Sequence, residues 1–268
     1  MIIDNMPEAD YRAADGLNQS ALKLLGEEGG PAKFRYGDRA ETKALRFGTL
    51  IHTAVLQPHM LEENYAVTTL ERAGTKLWAE AEAAAAGRIL VKQPEYDEAR
   101  WIADAVRQNR VVRSILEPGP QLKVEQSAFW TDPETEILCK ARADGANSEY
   151  NVLIDLKSTE DASYEQFRRT TLRYGYHIQA AYYADGYSLA GGFKPDSFVV
   201  IAAEKKPPYL TAAYEFRPSD LESAREEIRR LFGIYQRCVL NDDWPGYPDG
   251  LQTLSLNRHD TPLELDSE

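Results

Sequence analysis

At 268 residues, with 43% hydrophobic and 28% charged residues, the chain can bury a sizeable core, and its composition excludes the disordered and fibrous classes. Lys and Arg number 31 against 43 Asp and Glu, a net charge of −12, which argues against nucleic-acid binding by overall attraction but leaves room for a local basic groove. No apolar run nears the roughly 20 residues of a membrane span. The start, Met1-Ile-Ile-Asp-Asn-Met6, carries no signal-like block, so a cytoplasmic protein is expected. Cys139 and Cys238 make neither a metal-binding nor a redox pattern, and two cysteines cannot supply a four-cysteine iron–sulfur cluster.

In chain order, residues 1–16 read as an extended arm. Leu17 to Leu25 then gives a short helix, with Asn18 or Ser20 able to cap it before a Gly-Glu-Glu-Gly-Gly break. Pro31 to Tyr36 suits another helical turn, and from Glu41 to Leu56 a stripe of Leu45, Gly48 or Thr49, His52 and Leu56 predicts a helix with His52 facing inward. Thr75 to Ala86 is a strong helix former, Arg88 to Lys92 is strand-like, and Pro94 opens a long helix to about Glu117 with Trp101, Ala105, Val112 and Leu116 apolar. Three strands follow, Leu122 to Trp130, Glu136 to Asp144 and Asn151 to Ser158. Asp132-Pro-Glu-Thr135 joins the first two as an antiparallel hairpin, and Gly145-Ala-Asn-Ser148 continues the meander. Helices over 163–173 and 177–190, strands over 197–204 and 209–216, and an amphipathic helix from Pro218 to about Leu240 complete the pattern. The expected class is α/β of the α+β type, a mixed sheet with helices against it. A single domain over 1–268 is expected, mainly helical to 118, a core sheet with helices over 119–240, and an irregular tail over 241–268.

The stretch that bears chemistry is Asn151-Val-Leu-Ile-Asp-Leu-Lys-Ser158. Strand alternation puts Leu153, Asp155 and Lys157 on one face and Val152, Ile154 and Leu156 on the other, so an acid and an amine stand side by side on an apolar strand. An isolated pair of this kind is more often a salt bridge than a site. Lys140-Ala-Arg-Ala-Asp144 brings a second acid to the neighbouring strand, where Asp144 and Asp155 can meet at one sheet edge. Two close carboxylates need a proton or a cation between them, and Mg²⁺ is the simplest candidate. Lys157 could then hold or deprotonate a metal-bound water. Glu125 is a further acid for the same site or a plain surface residue. Gln179 and Tyr183 share a helix face at i, i+4; alone, they read as a surface amide and a core tyrosine, and His52 as a core histidine. Arginines cluster at Arg35, Arg39 and Arg46, at Arg107, Arg110 and Arg113, and at Arg168, Arg169 and Arg173, and such runs are usually solvated faces.

Taken together, Gly48-Thr-Leu-Ile-His52, Glu125, Arg142-Ala-Asp144, Ile154-Asp-Leu-Lys157 and Gln179-Ala-Ala-Tyr-Tyr183 resemble the PD-(D/E)XK nuclease superfamily, in its RecE-like branch of exodeoxyribonuclease VIII and phage relatives. Leu17-Asn-Gln-Ser-Ala-Leu22, Trp130-Thr-Asp-Pro-Glu-Thr135, Tyr176-His-Ile-Gln179 and Asp243-Trp-Pro245 extend the likeness over nearly the whole chain. The resemblance implies a restriction-endonuclease-like core with N-terminal helical additions. It implies that His52, Asp144, Asp155 and the backbone carbonyl of Leu156 hold Mg²⁺, with Mn²⁺ as an alternative. Lys157 would be the catalytic lysine, Gln179 and Tyr183 would support the site, and Arg46 or Ser20 would bind a 5′-phosphate. The implied activity is 5′-to-3′ resection of double-stranded DNA ends by a homo-oligomeric ring, with a single-strand annealing protein as partner. The rival readings are a RecB-like or CRISPR-adaptation nuclease acting on single strands or flaps, and a DNA-end-binding protein with a vestigial site. The superfamily's initial Pro-Asp is absent, since Ala143 precedes Asp144.

Overall fold

The computed structural model describes residues 1–38 and 43–254; Arg39 of the first arginine cluster and the last part of the predicted tail lie outside them. The first half of the chain runs β1 (Ile2–Ile3), α1 (Glu8–Ala13), α2 (Gln19–Leu25), α3 (Gly30–Tyr36), α4 (Lys43–Leu56), a 3₁₀ turn (Pro58–Met60), α5 (Leu61–Asn64) and β2 (Tyr65–Thr68). It continues through α6 (Lys76–Ala84), β3 (Ile89–Lys92), α7 (Gln93–Gln108) and α8 (Arg110–Ile115). The second half is β4 (Leu122–Thr131), β5 (Leu138–Asn147), β6 (Val152–Thr159), α9 (Tyr164–Tyr174), α10 (Tyr176–Leu189), β7 (Ser197–Glu204), β8 (Thr211–Glu215) and α11 (Pro218–Asn241). Six strands form one mixed sheet in the order β1-β4-β5-β6-β7-β8, parallel only between β6 and β7. A separate parallel pair joins β2 to β3. Among the described residues no helix is long and apolar enough to cross a membrane.

The sheet is covered on both sides, which explains why β6 reads as a nearly continuous apolar run. Leu153 faces a core made with Leu22, Phe198 and Leu231 under α2, α10 and α11. Val152, Ile154 and Leu156 face a second core with Leu50, Ile51, Ile102 and Val106 under α4 and α7. The predicted alternation along β6 is therefore the observed one.

Three expectations are corrected. The N-terminal arm is not merely extended: Ile2 and Ile3 add an edge strand to β4, and α1 follows. On α4 the inward face is Leu50, Ile51, Ala54 and Val55, whereas Leu45 and Thr49 are exposed and His52 lies at the border. The helix is apolar around more than half its surface, so several stripes satisfy the spacing and only packing selects one. The long helix from Pro94 breaks at Asn109, whose extended backbone and side-chain oxygen, accepting from the Val111 and Val112 N–H groups, restart it as α8. Its buried face is Ala99, Ile102, Ala103 and Val106, while Trp101 is exposed beside Tyr209.

The hairpin turn is as read: Asp132 Oδ1 accepts from the Glu134 and Thr135 N–H groups. Helix α10 approaches β4 closely enough that Gly186 is required. A Cβ there would lie 2.3 Å from the Trp130 ring. Gly186→Ala should destabilise the protein by about 1–3 kcal/mol despite alanine's better helix propensity. Urea unfolding measures this, and an unchanged midpoint would contradict the packing described.

Candidate metal centre

Strands β4 and β5 each change sides at one place. Ala128 and Trp130 of β4, with Ala141 and Ala143 of β5, belong to the α10 core, yet Leu122 and Gly145 pack against Ile154 in the other. At the changeover stands Glu125, with φ +52°, between the pairs Val124–Gly145 and Gln126–Ala143 and opposite Asp144 in register. A left-handed non-glycine residue costs about 1–2 kcal/mol, and such strain collects at functional sites. The switch brings the Glu125 and Asp144 side chains together. Beyond Gly145–Ile154, β5 no longer pairs with β6. The Leu156 N–H, left without a strand carbonyl on that side, donates to Asp144 Oδ2 at 2.7 Å.

His52 completes the group. Its Nδ1 lies 3.4 Å from Asp144 Oδ2, and single ligand atoms of His52, Glu125 and Asp144 all fall within 4.8 Å of one another. Helix α4 is held there by its buried face and by Arg107, whose Nη2 donates to the Ala54 carbonyl at 2.6 Å and caps the helix C-terminus. Arg107 thus serves α4, not a solvated basic face. Arg142, from the strand of Asp144, is likewise engaged: it donates to Glu8 at 2.8 Å, to the Met6 carbonyl at 2.7 Å and to Ser127 at 3.0 Å, and its guanidinium lies over the Tyr11 ring.

Asp155 is buried and differently occupied. Gln179 Nε2 donates to its Oδ1 at 2.5 Å, and Lys157 Nζ stands 2.7 Å from its Oδ2. That second contact is an ion pair outside hydrogen-bond geometry, so Oδ2 keeps no conventional donor. Burial pushes the Asp155 carboxyl up and the Lys157 ammonium pulls it back. For Lys157, burial works against the charge, but the Asp155 and Asp144 carboxylates outweigh it and hold the amine above its ordinary value. In the metal-free fold it is therefore held as an ammonium, suited to positioning and charge neutralisation. Its Nζ also lies over the Tyr176 ring, 5.0 Å from the centroid. Tyr183 packs edge-on to Phe198, and burial drives its phenol pKa well up.

Of the predicted residues, the structure gathers His52, Glu125 and Asp144 into one cluster and Asp155, Lys157 and Gln179 into an adjoining one. Ser20 is exposed on α2 in an open groove of about 1650 Å³ shared with Tyr11, Gln236 and Arg237. Arg46 is exposed on α4, six residues before His52, or about 9 Å along the axis. Sequence reasoning missed Arg142, Tyr11 and Tyr176 as supports; Tyr176, one helical turn before Gln179, was the one with a readable signal.

The donor set fits a divalent cation, because two part-buried carboxylates this close repel unless a proton or a cation stands between them, and the His52 imidazole adds a neutral nitrogen donor. Burial first, and Asp144 second, push the Glu125 carboxyl from 4.5 up to about 8, against the opposing pull of Arg142. A raised carboxyl pKa means that the metal-free fold favours the protonated form. The stability it contributes is full below about pH 4.5 and is lost as pH rises toward 8. Metal must displace that proton, so Mn²⁺ affinity should climb by up to about tenfold per pH unit across this window. Calorimetric titrations at several pH values check this, and a flat profile would contradict it.

The sequence signature of a PDDEXK-like domain of unknown function (DUF3799) matches residues 25–257. The chain belongs to this PDDEXK-like family. No curated protein matches it. Among solved structures, the PDDEXK-like chain is similar to a protein from Eubacterium rectale provisionally named an exonuclease, at 13% identity and TM-score 0.59, over 92% of this chain and 96% of that one. It also matches a phage-related exonuclease from Haemophilus somnus 129PT, at 12% identity and TM-score 0.35, over 85% and 97% of the two chains. The first likeness establishes the fold, and the PDDEXK-like assignment agrees with a restriction-endonuclease-like core whose second and third meander strands carry Asp144, Asp155 and Lys157.

Proposed function

We propose that this PDDEXK-like protein is a Mg²⁺-dependent deoxyribonuclease that resects one strand of linear double-stranded DNA from its end, 5′ to 3′. The observation that carries the reading is the junction of the His52, Glu125 and Asp144 cluster with the Asp155–Lys157 pair through the Asp144–Leu156 bond. His52, Glu125 and Asp144 would hold the ion, with Asp155 and the Leu156 carbonyl beside it. In a strand the N–H and C=O of one residue point the same way, so the Leu156 carbonyl lies on the side of Asp144. A bound ion would polarise a phosphoryl oxygen and acidify a water.

The chain's own groups supply the rest. The Lys157 ammonium orients the attacking water and offsets charge gathering on the phosphate. Asp155 and the Tyr176 ring fix that amine, and Gln179 fixes Asp155. The polarity, a homo-oligomeric ring around DNA, and a single-strand annealing partner that coats the exposed strand are drawn from the RecE-like motifs. A time course with Mg²⁺ on end-labelled, 5′-phosphorylated linear duplex should release label from the 5′ end first and spare closed circles. Cutting of circles, or first release from the 3′ end, would sink the exonuclease reading.

A further inference from the structure

Two aromatic rings and two cations lead outward from Lys157. Its Nζ lies over Tyr176, and the Tyr176 ring stacks on Tyr174 at 5.9 Å with an interplanar angle of 20°. Tyr174 carries two cations, Lys23 Nζ at 5.7 Å and Arg173 Cζ at 5.4 Å from its centroid. The geometry depends on Gly175, whose φ of +68° ends α9 and starts α10, so that the last ring of one helix meets the first ring of the next. Lys23 of α2 crosses this turn: a Cβ on Gly175 would meet the Lys23 Cδ at 3.5 Å.

Tyr176 is partly buried and packs on Phe167, but Tyr174 is 47% exposed. A core role does not account for an exposed ring with two flexible cations against it, in line with a buried ion pair. Stacking on a base and contact with the flanking phosphates account for both features. Arg169, exposed and one turn before Arg173, continues the basic side. Lys23, Arg169 and Arg173 make the patch locally basic on a chain of net charge −12, which suits a polyanionic strand.

We propose that Tyr174 is the stacking platform for the base next to the scissile phosphate of a single DNA strand, with Lys23 and Arg173 on its phosphates. This rests on the nuclease reading and adds to it the site that admits the strand. Both cations leave the ring for phosphate when the base arrives, and Tyr176 stays in place under Lys157. The platform reads any base, because every base offers a π-face.

The test is anisotropy titration of a fluorescein-labelled single-stranded oligonucleotide in Ca²⁺, paired with steady-state hydrolysis in Mg²⁺. Tyr174→Ala should weaken binding and raise KM by about tenfold or more, with kcat within about twofold. Tyr174→Trp should bind like the native protein, and Leu172→Ala, exposed on the same helix, serves as the surface control. If the native protein hydrolyses DNA and Tyr174→Ala binds equally well, the platform is wrong while the nuclease reading stands. If the native protein neither binds nor hydrolyses DNA, both fall.

Discussion

Asp144→Asn is expected to abolish measurable Mn²⁺ binding and to lower DNA hydrolysis by about a thousandfold or more. Asp144 is the one group shared by both halves of the site: its Oδ2 faces His52 Nδ1 and accepts the Leu156 N–H. The asparagine oxygen can still accept that N–H, so the fold should survive and the loss should be chemical. Calorimetry with Mn²⁺ and circular dichroism melting separate the two effects. Native-like Mn²⁺ affinity in the variant would show that Asp144 is not a ligand.

Lys157→Met should cost a comparable factor in hydrolysis through a different route. Removing the ammonium leaves Asp155 buried without its charge partner, which costs about 3 kcal/mol at neutral pH. Burial already raises the Asp155 carboxyl, and loss of the ammonium raises it further. The variant should therefore recover stability as pH falls and Asp155 takes up a proton, the reverse of a carboxylate held ionised by a partner. Mn²⁺ binding should persist, because His52, Glu125 and Asp144 are untouched. Hydrolysis within tenfold of native would show that the amine is only a structural partner of Asp155.

These two residues were legible in the sequence because strand alternation is a strict period of two. An acid and an amine two apart on an apolar strand share a face whatever the rest of the chain does. Asp144 followed as the end of the predicted neighbouring strand, although β5 runs on to Asn147. Glu125 was visible as an acid, but not its left-handed backbone, since a single glutamate carries no signal for φ above zero. Yet that conformation is what turns β4 and β5 over and brings two carboxylates together. The face of His52 was misread for a related reason: on α4 the stripe containing Leu45 and the stripe containing Leu50 have the same spacing, and the second core chooses between them. The cap that fixes α4 comes from Arg107, 53 residues away, and no local pattern announces a contact at that separation. Helix α1 was missed because six residues after Pro7 are too few to show a period, and its Glu8 and Tyr11 meet Arg142 and Lys140 of β5 at a separation no local pattern announces.

The metal set also sharpened. Sequence resemblance grouped Asp155 with His52 and Asp144; the structure gathers Glu125 with those two and sets Asp155 against Lys157 and Gln179, with its Oδ2 lacking a conventional donor. The position of a bound ion decides between these sets and tests the account most directly. Anomalous diffraction from a crystal soaked in Mn²⁺ should show a peak within coordination distance, about 2–2.5 Å, of His52, Glu125 and Asp144. A peak held by other residues, or none at saturating Mn²⁺, would contradict it.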